Sequence, residues 1–174
     1  MKINRRAALR QLFVISAGAA VLPACVNDKK STKASGLLAL TPEQEQTLAD
    51  ISATLIPTTD TPGAREVEAH LFALRMVSDC YKKDDQEKFR KGLTQFSDNV
   101  RQQYGKLFQD CAAADKQNII AKATASKDAG TDAAYFYNTF KRLTIQAYTS
   151  SEYYLTKVDA YKLVPGKFIS SVKV

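Results

Sequence analysis

A chain of 174 residues has room for one domain, and its 25 basic and 18 acidic residues give a formal charge of +7. That charge is unevenly placed: Lys2, Arg5, Arg6 and Arg10 all precede Cys25 and no acid does, so the rest of the chain holds 21 basic against 18 acidic residues, or +3. With no arginine cluster and no basic stripe interleaved with aromatics there is no case for nucleic acid as a partner.

The leader accounts for the excess. A basic stretch to Arg10 is followed by Leu12 to Leu22, an apolar run too short for the roughly 18 to 20 residues of a membrane span. This is the layout of a signal peptide over residues 1–24. Arg5-Arg6, followed by Leu9 and Arg10, resembles a twin-arginine export signal, with Ala8 where an aromatic is usual. A general secretory signal would also be basic here; the twin-arginine route is favoured, with the general route left open. Leu22-Pro23-Ala24-Cys25 resembles a lipobox, in which a small residue precedes a cysteine whose thiol receives diacylglycerol. Cys25 is therefore expected to carry lipid on the periplasmic side of the envelope.

Residues 25–39 read as that lipidated cysteine and a tether rich in Lys, Ser and Thr, with a reach on the order of 20 Å. A helical domain is expected over 40–174. Thr41-Pro42-Glu43-Gln44 carries an N-cap, a proline suited to the first helical position and a capping-box glutamine. Leu48, Ile51, Leu55 and Ile56 then form an apolar stripe that Pro57 stops. Val67 to Tyr81 repeats apolar residues every three or four positions, as a second helix does. Phe89, Leu93, Phe96, Val100 and Tyr104 define a third, with Asp84 and Glu87 as its opening signal and Gly105 as its stop. Asp115–Ala125 makes a fourth, Thr131-Asp132 caps a fifth bearing Phe136, Phe140, Leu143 and Ala147, and Ser150–Val158 suggests a short sixth. The remainder reads as an extended tail with a turn at Pro165-Gly166. The expected class is all-α, a single compact domain of five to six helices.

Little in this pattern assembles chemistry. His70, the only histidine, falls inside the second helix, where a packed or surface role is the ordinary expectation. With Cys25 lipidated, two cysteines and one histidine cannot build a zinc or iron–sulfur set. Glycine-rich phosphate loops and a haem-attachment CxxCH are absent. Cys80 and Cys111, in an oxidising compartment, are expected to form a disulfide, with free buried thiols or a bond to another subunit as alternatives. Two features stand apart. Pro57-Thr58-Thr59-Asp60-Thr61-Pro62-Gly63 is a stiff, hydroxyl-rich turn in which Asp60 could bond backbone amides. Tyr135, Phe136, Tyr137, Phe140, Tyr148, Tyr153, Tyr154 and Tyr161 point around most of a helix circumference, so some are expected to face a partner.

Several of these runs together resemble the gluconate 2-dehydrogenase subunit 3 family. They are Leu40-Thr41-Pro42-Glu43-Gln44 with Ile56 to Ala64, Asp79-Cys80-Tyr81, Tyr104-Gly105-Lys106, Leu143-Thr144 with Ala147 to Glu152, and Val164-Pro165-Gly166-Lys167-Phe168. Ala147 and Thr149 depart from the glycine and phenylalanine usual there. The resemblance implies a non-catalytic subunit with no cofactor of its own. Its partner would be a large flavoprotein of the glucose-methanol-choline (GMC) type that holds FAD, at times alongside a cytochrome c subunit. It also implies that the turn from Pro57 to Gly63, Tyr148, Glu152, Tyr153, Pro165 and Gly166 contribute to partner binding, and that the large subunit can leave the cytoplasm as a passenger on this chain's signal. The rival expectation is a stand-alone lipoprotein that binds a small ligand or an envelope component.

Overall fold

The computed structural model describes residues 38–125, 130–159 and 166. The leader with Arg5, Arg6, Leu9 and Arg10, lipidation at Cys25, most of the tether, and Pro165 lie outside the described residues, whereas Gly166 is an exposed bend. No strand occurs among the described residues, and the class is all-α.

The first helix, α1 (Pro42–Leu55), starts as the local sequence requires. The Thr41 hydroxyl accepts the Gln44 N–H at 3.2 Å, and the Gln44 Oε1 accepts the Thr41 N–H at 3.0 Å. Two orphan amides of the first turn are thereby satisfied. Leu48 and Ile51 are fully buried, while Leu55 and Ile56 are half-buried. Helix α2 (Ala69–Cys80) starts two residues later than its periodicity suggests, because Glu68 adopts a left-handed φ of 51° that interrupts the α-helical path. Helix α3 (Lys83–Tyr104) buries Phe89, Leu93, Phe96 and Val100 and ends on Gly105, whose φ of 67° lets its N–H return to Arg101 O at 2.9 Å. Its opening differs from expectation. Lys82 occupies the N-cap without a side-chain bond, and Asp84 and Asp85 lie in the first turn, where the helix dipole favours acids.

After a 3₁₀ turn (Phe108–Asp110) come α4 (Ala113–Ala125) and α5 (Asp132–Thr149), the latter capped by Thr131 Oγ1, which accepts the Ala134 N–H at 3.2 Å. One π-helical turn, Tyr154–Val158, follows. Helix α5 lies at the centre, packed most extensively on α3 and α2 and touching α1, α4 and the π turn. Phe136 sits between Phe89, edge-on at 5.0 Å, and Phe140, stacked at 5.9 Å, while Phe96 bridges Phe136 and Phe108 at 5.8 Å each. Burying each such ring contributes about 1.5–3 kcal/mol.

The central place of α5 divides its aromatics and those that follow it into a buried and a half-exposed set. Neighbours on several sides bury Phe136, Phe140 and even Tyr137, whose hydroxyl meets Thr124 Oγ1 at 2.7 Å and donates to Ile120 O at 3.3 Å. Only Tyr135, Tyr148, Tyr153 and Tyr154 remain half-exposed; Tyr161 lies outside the described residues. Gly92 makes the α3–α5 contact possible, since a Cβ there would stand 2.0 Å from Asp132 O and 2.6 Å from Phe136 Cβ.

The expected Cys80–Cys111 disulfide is absent: both are free thiols. Cys111 is buried in the core, its Sγ donating to Leu107 O at 3.3 Å, whereas Cys80 is exposed at the end of α2. The two thiols thus sit in different surroundings, one in the core and one in solvent. Burial also pushes the Cys111 thiol pKa up, with the carboxylate of Asp115 adding to the effect.

Candidate functional site: the proline turn and the end of α5

The segment from Ile56 to Gly63 is exposed over Pro57–Thr61, yet firmly tied. Ala64 N–H donates to Ile56 O at 2.9 Å and closes the loop at its base, and Thr59 N–H donates to Thr61 O at 3.1 Å near its tip. Gly63 is buried where the chain nearly crosses itself. A Cβ there would fall 2.6 Å from both Ile56 O and Thr58 N, so no other residue fits without moving backbone. The carboxylate that secures the turn is Glu66, which accepts the Gly63 N–H at 2.9 Å. Among the described residues Asp60 takes no such part, contrary to expectation. Asp60 is exposed, and Glu66, also at the surface, is the carboxylate that reaches the Gly63 amide. The Thr58 hydroxyl above all, then the Glu66 and Gly63 backbone amides and the charge of Arg65, hold the Glu66 carboxyl below its ordinary range.

Two runs that are far apart in sequence meet here. Tyr148, near the C-terminal end of α5, donates its hydroxyl to Pro62 O at 3.1 Å, and its ring meets Tyr154 edge-on at 6.0 Å. Beneath them Ala64, Ala69 and Ala147 form a small buried cluster backed by Ile56, Val67 and Phe72. Three alanines at this junction let the turn approach the helix closely. Exposed Glu152 and half-buried Tyr153 directly precede Tyr154. The surface therefore unites the turn with Tyr148 and Tyr154 as an exposed, preorganised patch whose outer groups are threonine hydroxyls, the Asp60 carboxylate and aromatic edges.

A buried charge that the sequence pattern did not single out supports the patch from behind. Asp50 on α1 is 6% exposed and accepts hydrogen bonds from Arg65 Nη1 at 2.8 Å, Lys116 Nζ at 3.1 Å and Gln46 Nε2 at 3.1 Å. Arg65 lies just past the turn and Lys116 on α4, so one carboxylate joins three parts of the chain. Its only sequence signal is an acid between Ala49 and Ile51, next to a buried stripe. His70 is buried on α2, in keeping with a packing role. Among the described residues no group of His, Cys, Asp or Glu could hold a metal ion, and no helix is long and apolar enough to cross a membrane.

No curated protein and no solved structure matches the chain significantly. A profile of the family described as Gluconate 2-dehydrogenase subunit 3 matches residues 42–166, from the first residue of α1 through the proline turn, Tyr148 and the bend at Gly166. That match spans well over half of the chain and takes in both halves of the patch, and the protein accordingly belongs to the gluconate 2-dehydrogenase subunit 3 family.

Proposed function

We propose that this chain is the non-catalytic accessory subunit of a flavin-dependent dehydrogenase of the GMC type, and that it docks its large partner through the turn Pro57–Gly63, Tyr148 at the end of α5 and Tyr154 of the π turn. The observation that supports this docking surface is the Tyr148 Oη to Pro62 O bond, which fixes an exposed, hydroxyl-rich loop onto the core. A rigid loop loses little entropy on binding, and tyrosine edges are favoured contact groups. FAD belongs in this reading to the partner.

The same proposal extends to export and anchoring. A twin-arginine signal carries folded cargo, so the leader with Arg5 and Arg6 would take a flavin-loaded partner across as a passenger, and lipid on Cys25 would then hold the complex at the periplasmic face of a membrane. A cytochrome c subunit would complete the electron path.

The test is to solubilise membranes, capture the protein through a C-terminal tag and record the visible spectrum of what accompanies it. A larger flavoprotein should co-purify with the wild type and be lost from a variant carrying Thr59→Arg and Asp60→Lys, both at exposed positions. A colourless single chain from wild-type cells would sink the proposal. Replacing Arg5 and Arg6 by Lys should retain both proteins in the cytoplasm; continued export would remove the passenger role while leaving the docking claim to the first experiment.

A further inference from the structure

Helix α3 carries a second organised surface, on a flank remote from the patch. Gln95, Asn99 and Gln103 lie four residues apart along one flank, above a groove of about 400 Å³ between α3, α4 and the start of α5. Buried Val100 and Ile119 lie at its base, and Lys122 is its only charged side chain among the described residues. Gln95 Oε1 accepts the Ala133 N–H at 3.2 Å, which fixes that carboxamide against α5 and leaves its NH₂ group to donate outward. Lys122 Nζ is 5.9 Å from the centroid of the Tyr104 ring, which follows Gln103 on α3.

The spacing selects a ligand class. Four helical residues rise about 6.0 Å. An extended polypeptide presents N–H and C=O groups on one side every two residues, about 6.6–6.8 Å. A carboxamide both donates and accepts, so three in a row can pair with successive backbone units of a strand laid along α3. Charge then selects among strands. Among the described residues the groove's charge is the single positive one of Lys122, and the chain's own flanks are also basic: residues 26–37 carry Lys29, Lys30 and Lys33 against Asp28, and residues 160–174 carry Lys162, Lys167 and Lys173 with no acidic side chain. Neither complements Lys122.

We propose that this groove binds an extended, acid-bearing peptide segment of another protein, the Gln95–Asn99–Gln103 ladder pairing with its backbone and Lys122 with its carboxylate. Ala134 on the groove and Tyr148 on the patch are separated by about 21 Å of α5. Peptide binding therefore stands or falls separately from the dehydrogenase contact.

The probe is a fluorescein-labelled, C-terminally amidated heptapeptide, Val-Thr-Val-Asp-Val-Thr-Val, and its twin with Lys at the centre, titrated against the full-length mature protein by fluorescence anisotropy. Saturable binding of the acidic peptide is expected, at least tenfold weaker for Asn99→Ala/Gln103→Ala, with the preference between the two peptides reversed by Lys122→Glu. All three positions are exposed, and circular dichroism checks that each variant folds. Absence of saturable binding to the wild type, equal affinity for the alanine variant, or sedimentation showing the groove occupied by a second copy of the chain would each overturn the proposal.

Discussion

Replacing Gly92 by alanine separates local helix propensity from tertiary packing, because the two act in opposite directions. Within α3, away from any contact, the change should stabilise by about 1 kcal/mol, since alanine restricts the unfolded chain and favours the helix. At this position the new methyl would fall 2.0 Å from Asp132 O and 2.6 Å from both Asp132 C and Phe136 Cβ. Ordinary carbon contacts need about 3.5 Å or more, and two of the opposing atoms are backbone, so relief requires α3 and α5 to part by on the order of 1 Å. That separation loosens Phe89, Phe96 and Phe136 together. Overpacking of this kind costs about 1–3 kcal/mol and sometimes more. Set against the propensity gain, and with the spoiled aromatic packing placing this site at the upper end, a net loss of about 2 kcal/mol is expected. For a domain of this size that lowers Tm by roughly 8 °C. Thermal unfolding followed by circular dichroism measures it. A Gly92→Ala protein as stable as the wild type, or more so, would show that α3 and α5 do not meet as described and would refute the central placement of α5.

Three further outcomes follow from the same geometry. Asp50→Ala should destabilise by about 2–3 kcal/mol in urea unfolding, below the 3–5 kcal/mol typical of a fully buried broken pair, because the side chains of Lys116 and Arg65 keep 19% and 46% of their exposure and can be hydrated; a loss under about 0.5 kcal/mol, the range of an ordinary surface change, would mean that the node contributes little. Glu66 has a depressed folded pKa, so its contribution is complete above the unfolded carboxylate pKa and disappears as pH falls through the lower folded value; the Gly63 amide proton shift should titrate with a midpoint below the ordinary glutamate range, and Glu66→Gln should abolish that step. In native protein Cys80 should alkylate readily while Cys111 reacts only after urea is added, and recovery of neither thiol without reductant would restore the disulfide that the structure lacks.

Local sequence was enough for the helices and for several of their ends, though not for the starts of α2 and α3. The Thr41–Gln44 box, the Thr131 cap and the Gly105 stop each act over at most four residues, and the four-three spacing of Phe89 to Val100 reports a buried face whatever it packs against. The proline turn was legible for the same reason, since proline restricts φ wherever it stands. Its internal chemistry was less so: a choice between Asp60 and Glu66 as the carboxylate that bonds the turn depends on which one reaches the Gly63 amide.

What needed the tertiary structure were relations between distant positions. Nothing near Tyr148 in sequence names Pro62, 86 residues away, as the acceptor for its hydroxyl. Nothing around Asp50 points to Arg65 and Lys116 as its partners. The two cysteines beyond Cys25 suggest a bridge, but whether their side chains face each other depends on how α2 and the segment before α4 are placed. The aromatics of α5 and the segment after it were expected to be too widely spread for all to be buried, but periodicity does not say which ones neighbours cover. Packing decided that: α5 is enclosed by its neighbours, and the tyrosines left half-exposed include Tyr148 and, in the π turn, Tyr154, where the proline turn also meets the surface.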